Sequence, residues 1–556
     1  MDNFRILLWG ALAALVWMNV ITWQRDYAPP ALSPPMAAQP GSATSSPPAN
    51  DLPALPNEAQ PSHGATAPVV SSTTEQQAQA VEVVTDVLRM QISTRGGELE
   101  RADLLKYPKV KNRPDIPVQL FEPTPPDLFV ARSGLRAAGD APSPTHQALF
   151  TADNSRYELQ PGQDTLEARL TWNDASGLSV AKIYTFHRGS YIVDLRYDVT
   201  NHSPTEWKAA SYQQLVRHYV ATKRSYFDVE TYAYKGPAVY DGKSSRKLKM
   251  DDDEDRKFEA SFTNGWMAAM QHHFVAAAVP PPGVPYDYQL KVDADNDFVL
   301  TMRSPLQTVA AGATGKFTER LFVGPKLQEQ LKMAAPGLEL TADYGKLTII
   351  AQPLFWLLEK VHSLVRNWGL AIILVTFLIK LVFYKLTQTS GRSMAKMRNL
   401  SPRIKTVQER YKDDREQLGR AMMELYKREK INPLAGCLPI LVQVPVFMGF
   451  YWVLLESVEM RQAPFFGWIT DLSSRDPYFI LPVIMAAAMF FQFKLQPPSA
   501  DPMQAKVLQF MPLVMAAMMA TFPAGLVLYW ITNTMLSIAQ QWRINKVVAA
   551  EGKKSG

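Results

Sequence analysis

The sequence predicts an α+β membrane protein, a six-span α-helical bundle with a large antiparallel β-sandwich held outside the membrane. Three observations carry that prediction. Apolar residues make up 47% of the 556, yet mean hydropathy is only −0.13, so the apolar side chains are gathered into blocks. Between about Val81 and Gly345 apolar and polar residues alternate with the period of two that a half-buried strand requires. After Tyr344 the chain turns to long uncharged runs. The same composition excludes a wholly disordered chain and a simple porin. A single cysteine excludes a disulfide framework and any multi-cysteine metal site. A formal charge of +6 is too small for this length to imply nucleic acid.

The elements follow in order. Ile6 to Val20 is an uncharged apolar run between Arg5 and Arg25. It is followed by Ile21-Thr22-Trp23 rather than by the small residues of a cleavage site, so residues 1–27 read as a retained anchor rather than a cleaved signal. Residues 28–80 hold 11 of the 42 prolines and few large apolar side chains, a flexible tether that buries too little to offset its ordering entropy. Residues 81–345 read as the β-sandwich. Its clearest hairpin joins Gly177–Phe186 to Tyr191–Thr200 through Arg188-Gly189-Ser190, and further runs lie at Val83–Thr94, Leu166–Trp172, Phe298–Arg303 and Phe317–Val323.

Residues 346–366 follow as an interfacial amphipathic helix, with Leu354, Leu357, Leu358, Val361, Leu364 and Val365 on one face. The second span is 367–385, apolar from Trp368 to Tyr384 except at Lys380. The third is 434–456, inside 25 uncharged residues, and the fourth is 478–494. Val507 to Trp542 is uncharged over 36 residues, about 54 Å of helix, too long for one crossing. Phe522-Pro523-Ala524-Gly525 divides it into a fifth span at 507–522 and a sixth at 526–545. Residues 386–433 carry 12 Lys/Arg against 6 Asp/Glu, whereas 457–477 carry 2 against 3. The basic loop therefore faces the cytoplasm, as do the short 495–506 loop, the 546–556 tail and the N-terminus. The β-sandwich faces the other side.

No enzyme signature is found. Gly312-Ala-Thr-Gly315-Lys316 has two residues between its glycines where a phosphate loop needs four, and it reads as a turn. His272-His273 lacks the i, i+4 spacing of paired ligands and reads as a surface pair. In the basic loop Met397, Leu400, Ile404, Val407 and Tyr411 recur at helical spacing, as do Leu418, Ala421, Met422 and Leu425. They make two amphipathic helices. Their seams either close on one another or offer a Met-rich platform to apolar segments of another chain. Lys380 is the sharpest single residue. A charge in hydrocarbon costs about 2.5–3.5 kcal/mol on insertion scales, so it either snorkels to the interface or faces a wet cavity. Thr376 lies one turn before it, and Gln443, Thr532 and Asn533 add polarity inside other spans.

These residues sit within a set of motifs: Asn367-Trp-Gly369, Ser393-Met-Ala-Lys-Met-Arg398, Asn432-Pro-Leu-Ala-Gly-Cys-Leu-Pro439, Gln443-Val-Pro445, Arg461-Gln-Ala-Pro-Phe465, Asp471-Leu-Ser473, Asp476-Pro-Tyr478, Asp501-Pro-Met503 and Phe522-Pro-Ala-Gly-Leu-Val-Leu-Tyr529. In order and spacing, over about residues 344–545, the chain closely resembles the YidC/Oxa/Alb membrane protein insertases of the Gram-negative type. That resemblance implies an inner-membrane insertase and chaperone with a periplasmic β-sandwich and a five-helix core. It implies no enzymatic chemistry and no cofactor. Its partners would be nascent membrane proteins, the Sec translocon, the ribosome and the lipid bilayer. It further implies a hydrophilic substrate groove formed by Lys380, Thr376, Gln443, Tyr529, Trp530 and Asn533. Lys380 stands where the family usually has Arg, Lys385 where a proline is common, and Trp530 where a second tyrosine is frequent. The tail after Lys546 is short for a ribosome-binding extension. The alternative from another class is a small-solute or polymer transporter with a substrate-binding β-domain, which should show internal repeats; none is visible.

Overall fold

The computed structural model describes residues 52–53, 78–111, 113–221, 233–342, 344–411, 414–429, 438–495 and 502–554. The expected anchor, almost all of the tether, and Cys437 lie outside the described residues. The chain divides into a β-rich unit and a helical unit, the main boundary falling after Ala342.

Two sheets of eleven and nine strands make the β-rich unit. Their described pairings are antiparallel, except that Ala80–Val84 lies parallel to Arg156–Glu158. In the nine-stranded sheet Leu178–His187 pairs with Ile192–Asn201 across a turn at Arg188-Gly189-Ser190, where Gly189 takes φ +68°. Val193, Leu195, Tyr197 and Val199 are buried while Asp194, Arg196 and Asp198 stay half-buried, as the alternation requires. Thr314–Pro325 lies on the other side and sets Phe317 beside Tyr197. The sheets pack face to face. Ser211, in the larger sheet, donates to the Glu319 carboxylate of the smaller at 2.6 Å. Tyr184, Tyr197, Tyr286 and Tyr288 fill the layer between.

Two expectations are corrected in this unit. The Val83–Thr94 run is two strands, Ala80–Val84 and Leu88–Ser93, because the Thr85 hydroxyl accepts from the amides of Val87 and Leu88 and turns the chain. His272 and His273 are buried rather than on the surface, their rings stacked at 3.8 Å. They join Trp266–Met270 to Phe274–Val279, two strands buried along their whole length, and the turn goes inside with them. Gly312, at φ +71°, turns the chain just before the Thr314–Pro325 strand.

The helical unit contains α1 (Thr348–Val365), α2 (Trp368–Val382), α3 (Tyr384–Asn399), α4 (Ser401–Arg410), α5 (Arg415–Arg428), α6 (Leu438–Glu456), α7 (Ile480–Leu495), α8 (Pro502–Met519) and α9 (Ala524–Lys554). Helix α1 buries Ala351, Leu354, Phe355 and Leu358, but Leu364, expected on the same face, is 83% exposed. Asn367 then starts α2, its side chain accepting from the Leu370 amide at 3.0 Å. Helix α2 buries Ala371, Ile372 and Val375 against Val453 and Leu454 of α6 and Leu526 and Val527 of α9.

Helices stand at the second to sixth expected spans. Among the described residues, however, no single helix is long and apolar enough to cross a membrane. Only α2 and α3 together pass that test, bent by 70° at the break between them. Fifteen residues give α2 a rise of about 22 Å against a hydrocarbon core of about 30 Å. The basic segment also differs from expectation. The helix read through Met397 to Tyr411 is broken at Leu400, because Pro402 has no N–H to continue α3 and instead occupies the first turn of α4. Leu400 and Ile404 pack on Met397, Met422, Leu425 and Tyr426, so the hairpin closes its own seam.

Candidate substrate cleft

One end of the helical unit is a hydrogen-bonded plug. Asp471 accepts from the amides of Gln462 and Ser473 and from the hydroxyls of Ser473 and Ser474, at 2.7–3.0 Å. Asp476, buried, accepts from the Trp468 indole and from the amides of Tyr478 and Leu481, the last at 2.6 Å. The first amides of α9 close the plug: Ala524 donates to the Ser474 carbonyl at 2.7 Å and Gly525 to that of Leu472 at 2.9 Å. Gly369 lies beneath, and a Cβ there would come 2.1 Å from the Phe465 ring. Motifs scattered over residues 367–529 of the sequence thus meet at one place.

A cleft is lined by Thr376, Lys380, Phe383 and Thr387 from the α2–α3 stretch, by Gln443 and Val446 of α6, and by Tyr529 and Asn533 of α9. Five of the six residues expected in a groove therefore share one cavity. Helical geometry explains the convergence: Thr376 and Lys380 are one turn apart on α2, and Tyr529 and Asn533 one turn apart on α9. Both α9 residues are buried, as is Thr376. The Lys380 ammonium donates to the Ser537 hydroxyl at 2.7 Å, and that hydroxyl donates in turn to the Asn533 carbonyl at 2.7 Å. None of the described residues lining the cleft is acidic. The cationic Lys380 ammonium is therefore held by a neutral hydroxyl.

Trp530 is the exception. One position further along α9 turns it about 100° from Tyr529. It is not among the lining residues and meets the Phe447 ring edge-on at 4.9 Å. The hydroxyls of Thr376 and Thr532 donate back to the carbonyls of Ile372 and Leu528, at 2.6 and 2.8 Å. They contribute less open polarity than the sequence suggests. Ser537 was missed. Its four-residue step from Asn533, continuing the step from Tyr529, was the signal available.

Residues 80–357 match the family described as YidC periplasmic domain, and residues 360–551 match 60Kd inner membrane protein. A protein of Nitrosococcus oceani is 46% identical over 560 residues, covering 99% of this chain and 100% of its own, and is named membrane protein insertase YidC. The chain belongs to the YidC membrane protein insertase family. A second relative with that name, from Methylococcus capsulatus, is also 46% identical over 99% of both chains. A crystal structure of an active YidC insertase with its first transmembrane domain resolved aligns over 84% of this chain and 92% of its own, at 17% identity and a TM-score of 0.36. The assignment rests on the sequence matches. The family is one of insertases rather than enzymes, and the transporter alternative finds no support in these relatives. The β-rich unit is the family's periplasmic domain and the helical unit its inner-membrane domain.

Proposed function

We propose that this chain inserts membrane proteins into the inner membrane by giving the translocated segment of a substrate a polar cleft in which to enter the bilayer. The carrying observation is the Lys380 ammonium facing Thr376, Gln443, Tyr529 and Asn533 between helices α2, α6 and α9, which otherwise pack through apolar side chains. In this reading six spans, the first being the anchor at 1–27, leave both termini and the α3–α5 segment in the cytoplasm. The polar segment occupies the cleft, so its backbone is not left dry in lipid. The substrate's apolar helix then partitions sideways, and its burial drives the process at about 0.8 kcal/mol per CH₂. For an acidic translocated segment the membrane potential adds about 2.3 kcal/mol per charge per 100 mV. No nucleotide or cofactor is required. The chain works alone or beside the Sec translocon and takes segments emerging from the ribosome.

Substitution of Lys380 tests this reading. Protease protection of one single-span substrate, in acidic and neutralised versions, should show Arg functioning at least as well as Lys. Gln should fail for the acidic version while the neutral version inserts normally. The attraction at stake is about 1–4 kcal/mol at 4 Å for effective dielectrics between water and a protein surface. Equal loss for both versions, or none for either, would remove the groove charge from the mechanism.

A further inference from the structure

The cleft's charge is carried on a four-carbon stem only two residues from the end of α2 at Val382. A lysine so placed has an alternative to the cleft, since its ammonium can swing along the helix towards water. What opposes that swing is Ser537. Its hydroxyl accepts from the Lys380 ammonium at 2.7 Å and donates to the Asn533 carbonyl at 2.7 Å, so its proton is committed to its own helix and a lone pair is turned towards Lys380. Tyr529, Asn533 and Ser537 form a polar row at four-residue steps on α9, opposite Thr376 and Lys380 on α2. Arginine would reach a carboxylate with a planar fork that orients itself. Lysine is a point charge on a flexible stem and needs an external partner to hold its direction.

We propose that Ser537 is the positioning residue for Lys380: it keeps the ammonium in the cleft and surrenders it to a carboxylate of the substrate's translocated segment. A neutral hydroxyl suits this role better than an acidic residue. It forms a charge-assisted hydrogen bond strong enough to orient the ammonium, yet leaves the positive charge uncompensated and available. This proposal rests on the groove-charge reading of Lys380 and adds the group that makes the charge usable.

The test uses the full chain in inner-membrane vesicles. Ser537→Ala should reduce insertion of the acidic single-span substrate roughly tenfold, as expected for loss of a hydrogen bond to a charged group. The neutralised substrate should be unaffected and Ser537→Thr should restore activity. In a Lys380→Gln background Ser537→Ala should have no further effect. A second readout is independent of insertion. Labelling of the Lys380 amine by a water-soluble amine reagent, followed by peptide mass spectrometry, should rise several-fold in Ser537→Ala and return to normal in Ser537→Thr. Unchanged labelling, or equal loss for both substrates without rescue by Thr, overturns the proposal. If labelling rises as expected but Lys380→Gln spares the acidic substrate, Ser537 still positions Lys380 and it is the groove-charge reading that fails.

Discussion

Lys182 spans the two sheets, wholly buried, its ammonium donating to the carbonyls of Gly96, Gly97 and Ser133 at 2.6, 3.3 and 3.1 Å. Burial pushes its pKa down to about 7, against the pull of Glu98 and Glu319. In the unfolded chain the same group holds its proton to about pH 10.4. Between those values the unfolded chain binds more protons, so the contribution of Lys182 to stability grows as pH rises through that window. It is lost as pH falls towards 7, at no more than about 1.4 kcal/mol per pH unit. The carboxyls of Glu98 and Glu319 are raised by the same burial and give a slope of opposite sign, beginning near their usual value of 4.5. The informative comparison is therefore wild type against Lys182→Met above pH 7. Amide exchange in the Leu178–His187 strand of the full chain should slow between pH 7 and 10, relative to the intrinsic rate, in wild type only.

At the scale of elements, the plug depends on close approach. Gly369 lets the first turn of α2 lie against the Phe465 ring where a Cβ would overlap it, and Asn367 donates to the Phe465 carbonyl at 3.3 Å. Gly369→Ala should force α2 or the 457–477 loop to move, at about 1–3 kcal/mol for overpacking. The expected outcome is a lower melting temperature in detergent and reduced insertion of acidic and neutral substrates alike. Phe465→Ala in the same chain should restore part of both, since it removes the clashing ring. A charge-selective loss would instead place Gly369 in the cleft's electrostatics. The hairpin of α4 and α5 shows the limit of periodicity. The apolar spacing gave the seam, but not that Met422 and Leu425 would close on Leu400 and Ile404 rather than stay open to another chain.

For the whole molecule, the charge asymmetry of the loops makes a prediction about sidedness. Single cysteines at Thr406 and Thr470, in a chain with Cys437→Ser, should react with an impermeant maleimide from opposite faces of sealed inner-membrane vesicles. Reaction of both from the same face would break the six-span arrangement. Both sites are exposed, so lack of access within the protein would not hide either one. Legibility differed between the two units. The β-rich unit was readable as a class because alternation reports which face of a strand is buried. Its strand order was not, since Trp207–His218 pairs with Phe129–Ala137 and with Asp297–Arg303, far apart in sequence.

The sequence by itself determined the block structure of the chain, the Pro523 division between α8 and α9, and the polar residues that the apolar helices carry. These are local properties. Burial of a whole strand face or a whole apolar run leaves its period and its charges in the sequence. Only the tertiary structure decided which polar residues meet. Trp530 and Tyr529 are neighbours in sequence yet about 100° apart on α9, and only Tyr529 lines the cleft. The four-residue step from Tyr529 through Asn533 places Ser537 on the same face of α9 but does not say what that face meets. Ser537 became the partner of Lys380 because α2 and α9 pack together through Ala371, Ile372, Leu526 and Val527. A hydrogen bond across 157 residues of sequence is specified by that packing and by nothing nearer along the chain.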